Sequence, residues 1–452
     1  VRLTFRIGVL ASAALAAWAG VPAPTRADPP TAAAADSTCG RADGIEAGPR
    51  QAALLEARRA KCARLERYEP GFLERQVLAF EKAERPPITR VNLFGLYPRI
   101  GAIDHRSQSA LGVRLWRPDI GGSRLDLAGS AFWSRQGFQF FDLQAGVIPH
   151  RGTAFPLYAH KSDDVFELAN VRPDDDDRYA LYASMAHRWA PKFDFFGSGA
   201  DSRREDRADF SQRDTLVQGV VGYRLLPRLM VSGRLGYYHA AVGPGRDDLL
   251  PQVEDVFASS AIPGFGGRPD FLRYGAEAAF DARDVAENPH RGGLLAVQWL
   301  RYDARGGGAS SFGRFAVDGR LYVALGHPQR VLALRAYGVK DDPSAGGAVP
   351  FYLTSYLGGS HTLRAFGSQR FRGEKLALLQ AEYRWEAAPA IELALFADSG
   401  AVAATSDDEL GRFRTDGGIG LRFKTHEAVM LRLDFAWGDE GFRFLFRFSP
   451  SF

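Results

Sequence analysis

The chain has 452 residues, with 57 basic and 53 acidic side chains, and its formal net charge of +4 is too balanced for a dedicated nucleic-acid binder. Apolar residues make up 46% and charged residues 24%, which excludes wholesale disorder. With 32 Phe, 49 Gly and 2 Cys, the composition favours many strands and turns and excludes a disulfide framework.

Arg2 and Arg6 open the chain as a short basic region, and Ile7 to Gly20 then runs uncharged. Small-residue cleavage sites follow at Ala17-Trp18-Ala19 or Thr25-Arg26-Ala27, the layout of a secretory signal peptide over residues 1–27. An apolar run of about 14 residues falls short of the roughly 20 that a spanning helix needs. No other stretch is long and apolar enough for a membrane helix, so residence in a membrane requires a barrel. Val1 fits a non-ATG start, and the chain is expected to be complete.

Residues 28–88 differ from the rest. Residues 28–49 read as linker, and Arg50 to Glu66 is full of helix formers. Pro70-Gly71 breaks that helix. Phe72 to Glu84 reads as a second one, with Leu73, Val77 and Phe80 on one side, and Pro86-Pro87 ends the region. Cys39 and Cys62 both lie here. In an oxidising periplasm they pair and pin the linker to the first helix; the alternative is two unrelated thiols. Too few ligands stand nearby for a metal site.

From about residue 89 the period changes to two. Val429, Leu431, Leu433, Phe435 and Trp437 fall on one face, and Arg432 and Asp434 on the other. Phe442, Phe444, Phe446 and Phe448 share a face, Phe452 keeps their parity, and Arg443 and Arg447 point the opposite way. Gly417, Ile419, Leu421 and Phe423 oppose Arg422 and Lys424. A soluble sandwich buries the apolar face, whereas a transmembrane barrel turns it to lipid. The signal peptide, the number of strands, the aromatic outward set and the terminal Phe together favour the barrel, the only closed β solution in lipid.

Strands are predicted near 89–103, 107–117, 123–134, 137–147, 178–190, 213–226, 228–241, 269–283, 291–304, 311–325, 330–341, 374–386, 390–400, 412–424, 428–438 and 441–452. The fold class is therefore all-β, a 16-stranded antiparallel transmembrane β-barrel over residues 89–452 with a short N-terminal helical extension. An even count returns both ends to the periplasmic side. Residues 148–177 fit this count poorly. The long insertion 342–373 falls on the extracellular side.

That insertion contains Leu357-Gly358-Gly359-Ser360-His361-Thr362-Leu363-Arg364-Ala365-Phe366, then Arg370-Phe371-Arg372-Gly373. It resembles the sixth extracellular loop of the outer-membrane assembly-factor superfamily, which holds BamA, TamA, the two-partner secretion transporters and the bacterial surface antigen family. That loop carries a Val-Arg-Gly-Phe/Tyr signature after a Gly-Gly turn. Ala365 stands here where the family has Gly, and Ala restricts the backbone. Phe396-Ala397-Asp398-Ser399-Gly400 resembles the family's Phe-x-Asp-x-Gly strand, and Gly418-Ile419-Gly420-Leu421-Arg422 its Gly-x-Gly-x-Arg strand. Asp281, Arg283 and Asp284 with Asn288, Pro289 and Gly292 resemble its Asp-x-Arg-Asp…Asn-Pro-x-x-Gly turn. Phe446, Phe448 and Phe452 match a barrel's C-terminal signal.

The resemblance implies a loop folded into the lumen, with Arg364 meeting wall acids. Asp398 is the matching position and Glu382 a second one. An Arg inside a barrel needs a carboxylate, whereas an exposed loop Arg gains little from one. It also implies work at the lateral seam between first and last strands, in insertion or translocation of protein or lipid at the outer membrane of a Gram-negative cell. Residues 28–88 are too short and too helical for a POTRA module, so the chain resembles a POTRA-less branch. They would sit in the periplasm or in the lumen.

No Gly-x-Ser-x-Gly elbow, His-Glu-x-x-His or phosphate loop is present, so no enzymatic chemistry, cofactor or metal is expected. Asp174 to Asp177 reads as a solvated loop and Gly264 to Gly267 as a turn. Inward Arg422, Arg432, Arg443 and Arg447 either favour anions in a pore or pair with Asp434 and other acids. The expected partners are outer-membrane lipids and a protein or lipid client, not nucleic acid. The competing readings are a passive plugged channel and a surface structural protein or adhesin.

Overall fold

Alternation with a period of two gives each strand one apolar and one polar face, and the fold follows from which face meets lipid. The computed structural model describes residue 56 and residues 94–107, 109–148, 178–286, 288–306, 310–388, 390–424, 429–447 and 452. The predicted signal peptide, the linker, Cys39, Cys62, the acidic run at 174–177 and Phe448 lie outside the described residues, as does nearly all of the predicted helical region. The chain divides into two units, Val1–Gly71 and Phe72–Phe452. Apart from Glu56, every described residue belongs to the second.

Sixteen strands form one antiparallel sheet. They are β1 (Leu96–Gly101), β2 (Ala110–Arg117), β3 (Asp126–Ser134), β4 (Gln139–Val147), β5 (Tyr179–Phe195), β6 (Ala208–Leu226), β7 (Leu229–Pro244), β8 (Asp270–Asp281), β9 (Gly292–Ala304), β10 (Phe312–Ala324) and β11 (Arg330–Pro343). After a loop carrying a small ribbon, β12 (Ser355–Leu357) with β13 (Phe371–Gly373), come β14 (Lys375–Ala388), β15 (Ile391–Ala403), β16 (Arg414–Lys424), β17 (Val429–Gly438) and β18 (Gly441–Arg447). Every neighbour in the sheet is also a neighbour in sequence once the ribbon is set aside, the up-and-down order of a meander. Among the described residues the hydrogen-bonded order has two ends, β1 and β18, so the barrel's seam falls between them.

The sheet is rolled, because its two ends reach the same interior. Arg106, just after β1, contacts Asp209 on β6 at 2.8 Å. Arg447, on β18, contacts Ser360 in the loop after β11 at 3.1 Å. The faces sort as a membrane barrel requires. Trp437, Phe442, Phe444 and Phe446 are about half exposed on the outside, while Arg432 and Asp434 are fully buried inside. No helix among the described residues is long and apolar enough to cross a membrane.

Several strand ends depart from the sequence reading, β1 for instance covering only Leu96–Gly101 of the predicted 89–103, and two departures redirect aromatic side chains. First, β5 continues to Phe195 and β6 starts at Ala208, beyond the predicted limits of 190 and 213. A bulge between Ala190 and Phe193 resets the register, and Phe193, Phe195 and Phe210 then point inward. They join Phe271, Phe312 and Phe351 in a buried aromatic cluster at the end of the interior that holds the β5–β6 and β7–β8 loops. Second, β18 stops at Arg447, and Phe452 does not share the outward face of Phe442, Phe444 and Phe446. It is buried with Tyr322 and Val331, and its carbonyl accepts from Tyr322 Oη at 3.3 Å. A terminal residue past the end of a ladder is not bound by that ladder's parity.

Phe444 pairs with Phe435 across the β17–β18 ladder and is 52% exposed to lipid. Replacing it with Arg is expected to lower barrel stability by about 2–4 kcal/mol, the cost of a cation on the lipid face near the midplane. Phe444→Leu is expected to cost far less. Equilibrium urea unfolding in lipid vesicles measures both.

Candidate functional site

Antiparallel register assembles one inward patch across β14 to β17. Gln380 faces Asp398 and Glu382 faces Phe396. Asp398 faces Asp416, and Phe396 faces Gly418. Gly420 faces Asp434, and Arg422 faces Arg432. Charged residues from four strands thus meet on the inner wall with little water around them.

The loop between β11 and β14 folds into this patch. Its Gly358 and Gly359 have φ of +107° and +102°, and a Cβ at Gly358 would sit 2.1 Å from the carbonyl oxygen of Gly367. Only glycine turns the chain so sharply there. Leu363, Phe366 and Phe371 pack against small inward residues, among them Ala279, Ala296 and Ala316. Arg364, next in sequence, faces the opposite way, toward the charged wall.

Arg364 has no exposed surface. Its Nε and Nη2 donate to the two carboxylate oxygens of Asp398 at 2.7 and 2.8 Å, a bidentate fork. Its Nη1 donates to Glu382 at 2.8 Å. The Phe396 ring lies beneath the guanidinium, 3.5 Å from centroid to Cζ. Gln380 donates to Asp398 at 3.0 Å and to the Thr362 carbonyl at 2.9 Å. The Ala365 backbone N–H donates to Asp416 at 3.0 Å.

Three wall arginines complete the balance. Arg384 and Arg422 approach Glu382 at 3.0 and 3.2 Å, and Arg422 and Arg432 approach Asp434 at 2.7 and 3.1 Å. Among the described residues, Arg364 is the only cation in ion-pair contact with Asp398. The wall therefore holds a buried carboxylate that only the loop neutralises.

The motif glycines make room for these side chains. A Cβ at Gly418 would sit 2.6 Å from the Phe396 ring, and one at Gly420 would collide with the Arg422–Asp434 pair. Gly400 leaves space for Leu357 of the loop. Ala365 stands where the family signature has Gly, yet the described non-glycine residues with positive φ are Phe94, Asp119 and Gln369. Its methyl group packs beside Phe396 and Ala436, above Gly438, where any Cβ would approach it to 3.0 Å.

The other sequence-predicted residues hold the loop's backbone or lie in the turn after β8. Arg443 donates to the Phe366 carbonyl, and Arg432 to the Ser360 carbonyl at 2.6 Å, so inward arginines also hold the loop's backbone. The turn after β8 is knit within itself. Arg283 forks onto Asp281 at 2.9 and 2.8 Å, and Asp284 accepts backbone N–H groups from Val285, His290 and Arg291. Asn288 is buried beside Pro289, and Gly292 has φ of +89°. Asp416 and Gln380 were not singled out from sequence; their parity with Asp398 across the ladders is the signal that finds them.

A second ion cluster lies at the extracellular mouth. Arg106, in the loop after β1, contacts Asp194 at 3.0 Å, Asp209 at 2.8 Å and also Asp247. His105 sits against Asp104 and 3.2 Å from Asp194. Burial disfavours charge on His105, but Asp104 and Asp194 outweigh it, and its pKa is pushed up to about 9.

These features agree with the comparisons. The Omp85 superfamily domain matches residues 92–452. The chain belongs to the Omp85 superfamily. BamA from Haemophilus ducreyi lacking POTRA domains 1–3 is similar in fold, with a TM-score of 0.55 at 13% identity over 78% of this chain and 68% of that one. CdiB from Escherichia coli gives 0.46 at 14% identity over 80% of this chain and 60% of that one. No curated protein matches the chain. Omp85 superfamily barrels are bacterial outer-membrane proteins of transport and assembly, and with both ends of an even-stranded outer-membrane barrel on the periplasmic side the loops after β1, β5, β7 and β11 are extracellular.

A raised His105 pKa stabilises the folded loop fully below about 6.5, and that contribution is lost as pH rises through about 9. Hydrogen exchange at residues 103–107, corrected for intrinsic rate, is expected to lose protection between pH 8 and 10. In His105→Gln the protection should be lower and flat with pH.

Proposed function

We propose that this Omp85 barrel inserts or translocates protein or lipid at the outer membrane, with the seam between β1 and β18 as its working element and no chemistry of its own. The anchored loop is the observation that carries the reading. Its Arg364 is fixed on β14 and β15, and its backbone and Ser360 are held by Arg432 on β17 and by Arg443 and Arg447 on β18. The loop thereby braces the wall up to the seam from the last-strand side. The other side of the seam is β1, only six residues long. A short edge with few ladder bonds separates at less cost than a braced one.

Burial of most of residues 349–373 weighs against an adhesin, which needs residues 342–373 at the surface. The aromatic cluster at the extracellular half weighs against a passive open channel, since it occupies the interior a solute would cross. Residues 28–88 would meet the client, cap the periplasmic mouth or sit in the lumen.

One engineered cysteine in β1 and one in β18, with Cys39 and Cys62 changed to Ser, tests the seam. Cells that depend on the cross-linked protein are expected to show the envelope defect of the deletion strain, relieved by reductant. Full function in the cross-linked state contradicts seam opening.

A further inference from the structure

The lipid face of β4 to β8 is resolved level by level by its register. Tyr179 faces Tyr223 near the periplasmic end. Leu181 then faces Val221, and Met185 faces Val217, which faces Tyr237. All are roughly half exposed, as lipid-facing residues should be. The next outward level is polar from β5 to β8. Beside Phe141 of β4, His187, Thr215, His239 and Asp270 follow one another across successive strands. His187 lies 2.7 Å from Thr215 Oγ1, and His239 lies 2.6 Å from Asp270. Above that row, Trp189 faces Arg213.

From Tyr179 to Trp189 a strand rising about 3.3 Å per residue, tilted about 40°, climbs about 25 Å along the membrane normal. That is the height of the apolar band between a barrel's two aromatic girdles. Trp189 and Arg213 therefore stand at the extracellular interface, where acyl chains give way to headgroups.

Two cations share one indole there. The Arg213 guanidinium lies 4.7 Å from the Trp189 ring centroid and that of Arg246 lies 5.2 Å from it. The Arg246 backbone N–H donates to the Pro191 carbonyl at 3.0 Å, which fixes its approach. Lys192 follows in the β5 bulge. Both arginines are exposed, and among the described residues neither forms an ion pair. The nearby Asp247 is held by Arg106. In the lumen, by contrast, arginines such as Arg364, Arg422 and Arg432 meet carboxylates.

We propose that Trp189, Arg213 and Arg246 form a binding site on the outer wall for the phosphate of an anionic glycolipid headgroup in the outer leaflet. Guanidinium forks match phosphate oxygens, and the indole offers an apolar body to the lipid below. The inference rests on the outer-membrane placement of the barrel and not on seam opening, so its assay fails or succeeds independently of the cross-linking experiment.

The test uses the purified full-length barrel in detergent, titrated with bisphosphorylated lipid A, with dephosphorylated lipid A and with inorganic phosphate, read by native mass spectrometry. The unaltered chain is expected to bind bisphosphorylated lipid A at least about tenfold more tightly than the Arg213→Gln/Arg246→Gln double variant, the loss of one charge-assisted contact or more. Removing the lipid phosphates should cost as much, and millimolar inorganic phosphate should not displace the lipid. Equal affinity in the variant overturns the site. Displacement by inorganic phosphate overturns the lipid as its ligand. Heat-modifiable gel mobility establishes that each variant is folded; if the double variant misfolds, Arg246→Gln alone, in a loop, supplies the comparison.

Discussion

A guanidinium with no contact to water must be neutralised where it sits, and this governs the interior of the barrel. Arg364 is fully buried against the inner wall, and its desolvation is offset only by well-placed carboxylates. Asp398 and Glu382 supply them, and Asp398 is equally dependent on Arg364. Each group is costly without the other. That mutual need converts a long loop, which would otherwise move freely in solvent, into a fixed internal strut.

The surrounding residues follow from that demand. Phe396 closes the open face of the guanidinium, and Gly418 leaves room for its ring. Gln380 and Asp416 satisfy polar groups of the loop next to the ion pair. Leu363 and Phe366 flank Arg364 and pack on the inward alanines, so apolar burial and ion pairing pull the same segment to the same place. Because β18 also bonds to this loop, the strut extends to the last strand before the seam. The short β1 on the other side receives no comparable bracing from it.

Much of the fold was legible because lipid imposes a strict rule. Outward residues must be apolar, so Phe442, Phe444 and Phe446 read as a strand without any neighbour. The rule fails where strands leave the membrane. Phe193, Phe195 and Phe210 are as apolar as lipid-facing residues but point inward beyond a bulge, and the sequence reading ended β5 too early and began β6 too late there. Phe452 was read with the outward set because nothing in its identity marks the end of the ladder. In the loop, the motif pointed to Arg364, Asp398 and Glu382. Asp416 and Gln380 required the register of three strands. The Arg106 cluster was not legible at all, since Asp194, Asp209 and Asp247 are spread over the next 141 residues with no motif to join them.

The interdependence of Arg364 and Asp398 is measured most directly by a double-mutant cycle on barrel stability in lipid vesicles, with Arg364→Met, Asp398→Asn and the pair combined. Each single change is expected to cost about 3–5 kcal/mol, because it strands a buried charge. The double variant should cost about as much as one single change, leaving a large coupling term. Additive effects within about 0.5 kcal/mol, or single variants as stable as the unaltered protein, would contradict the strut.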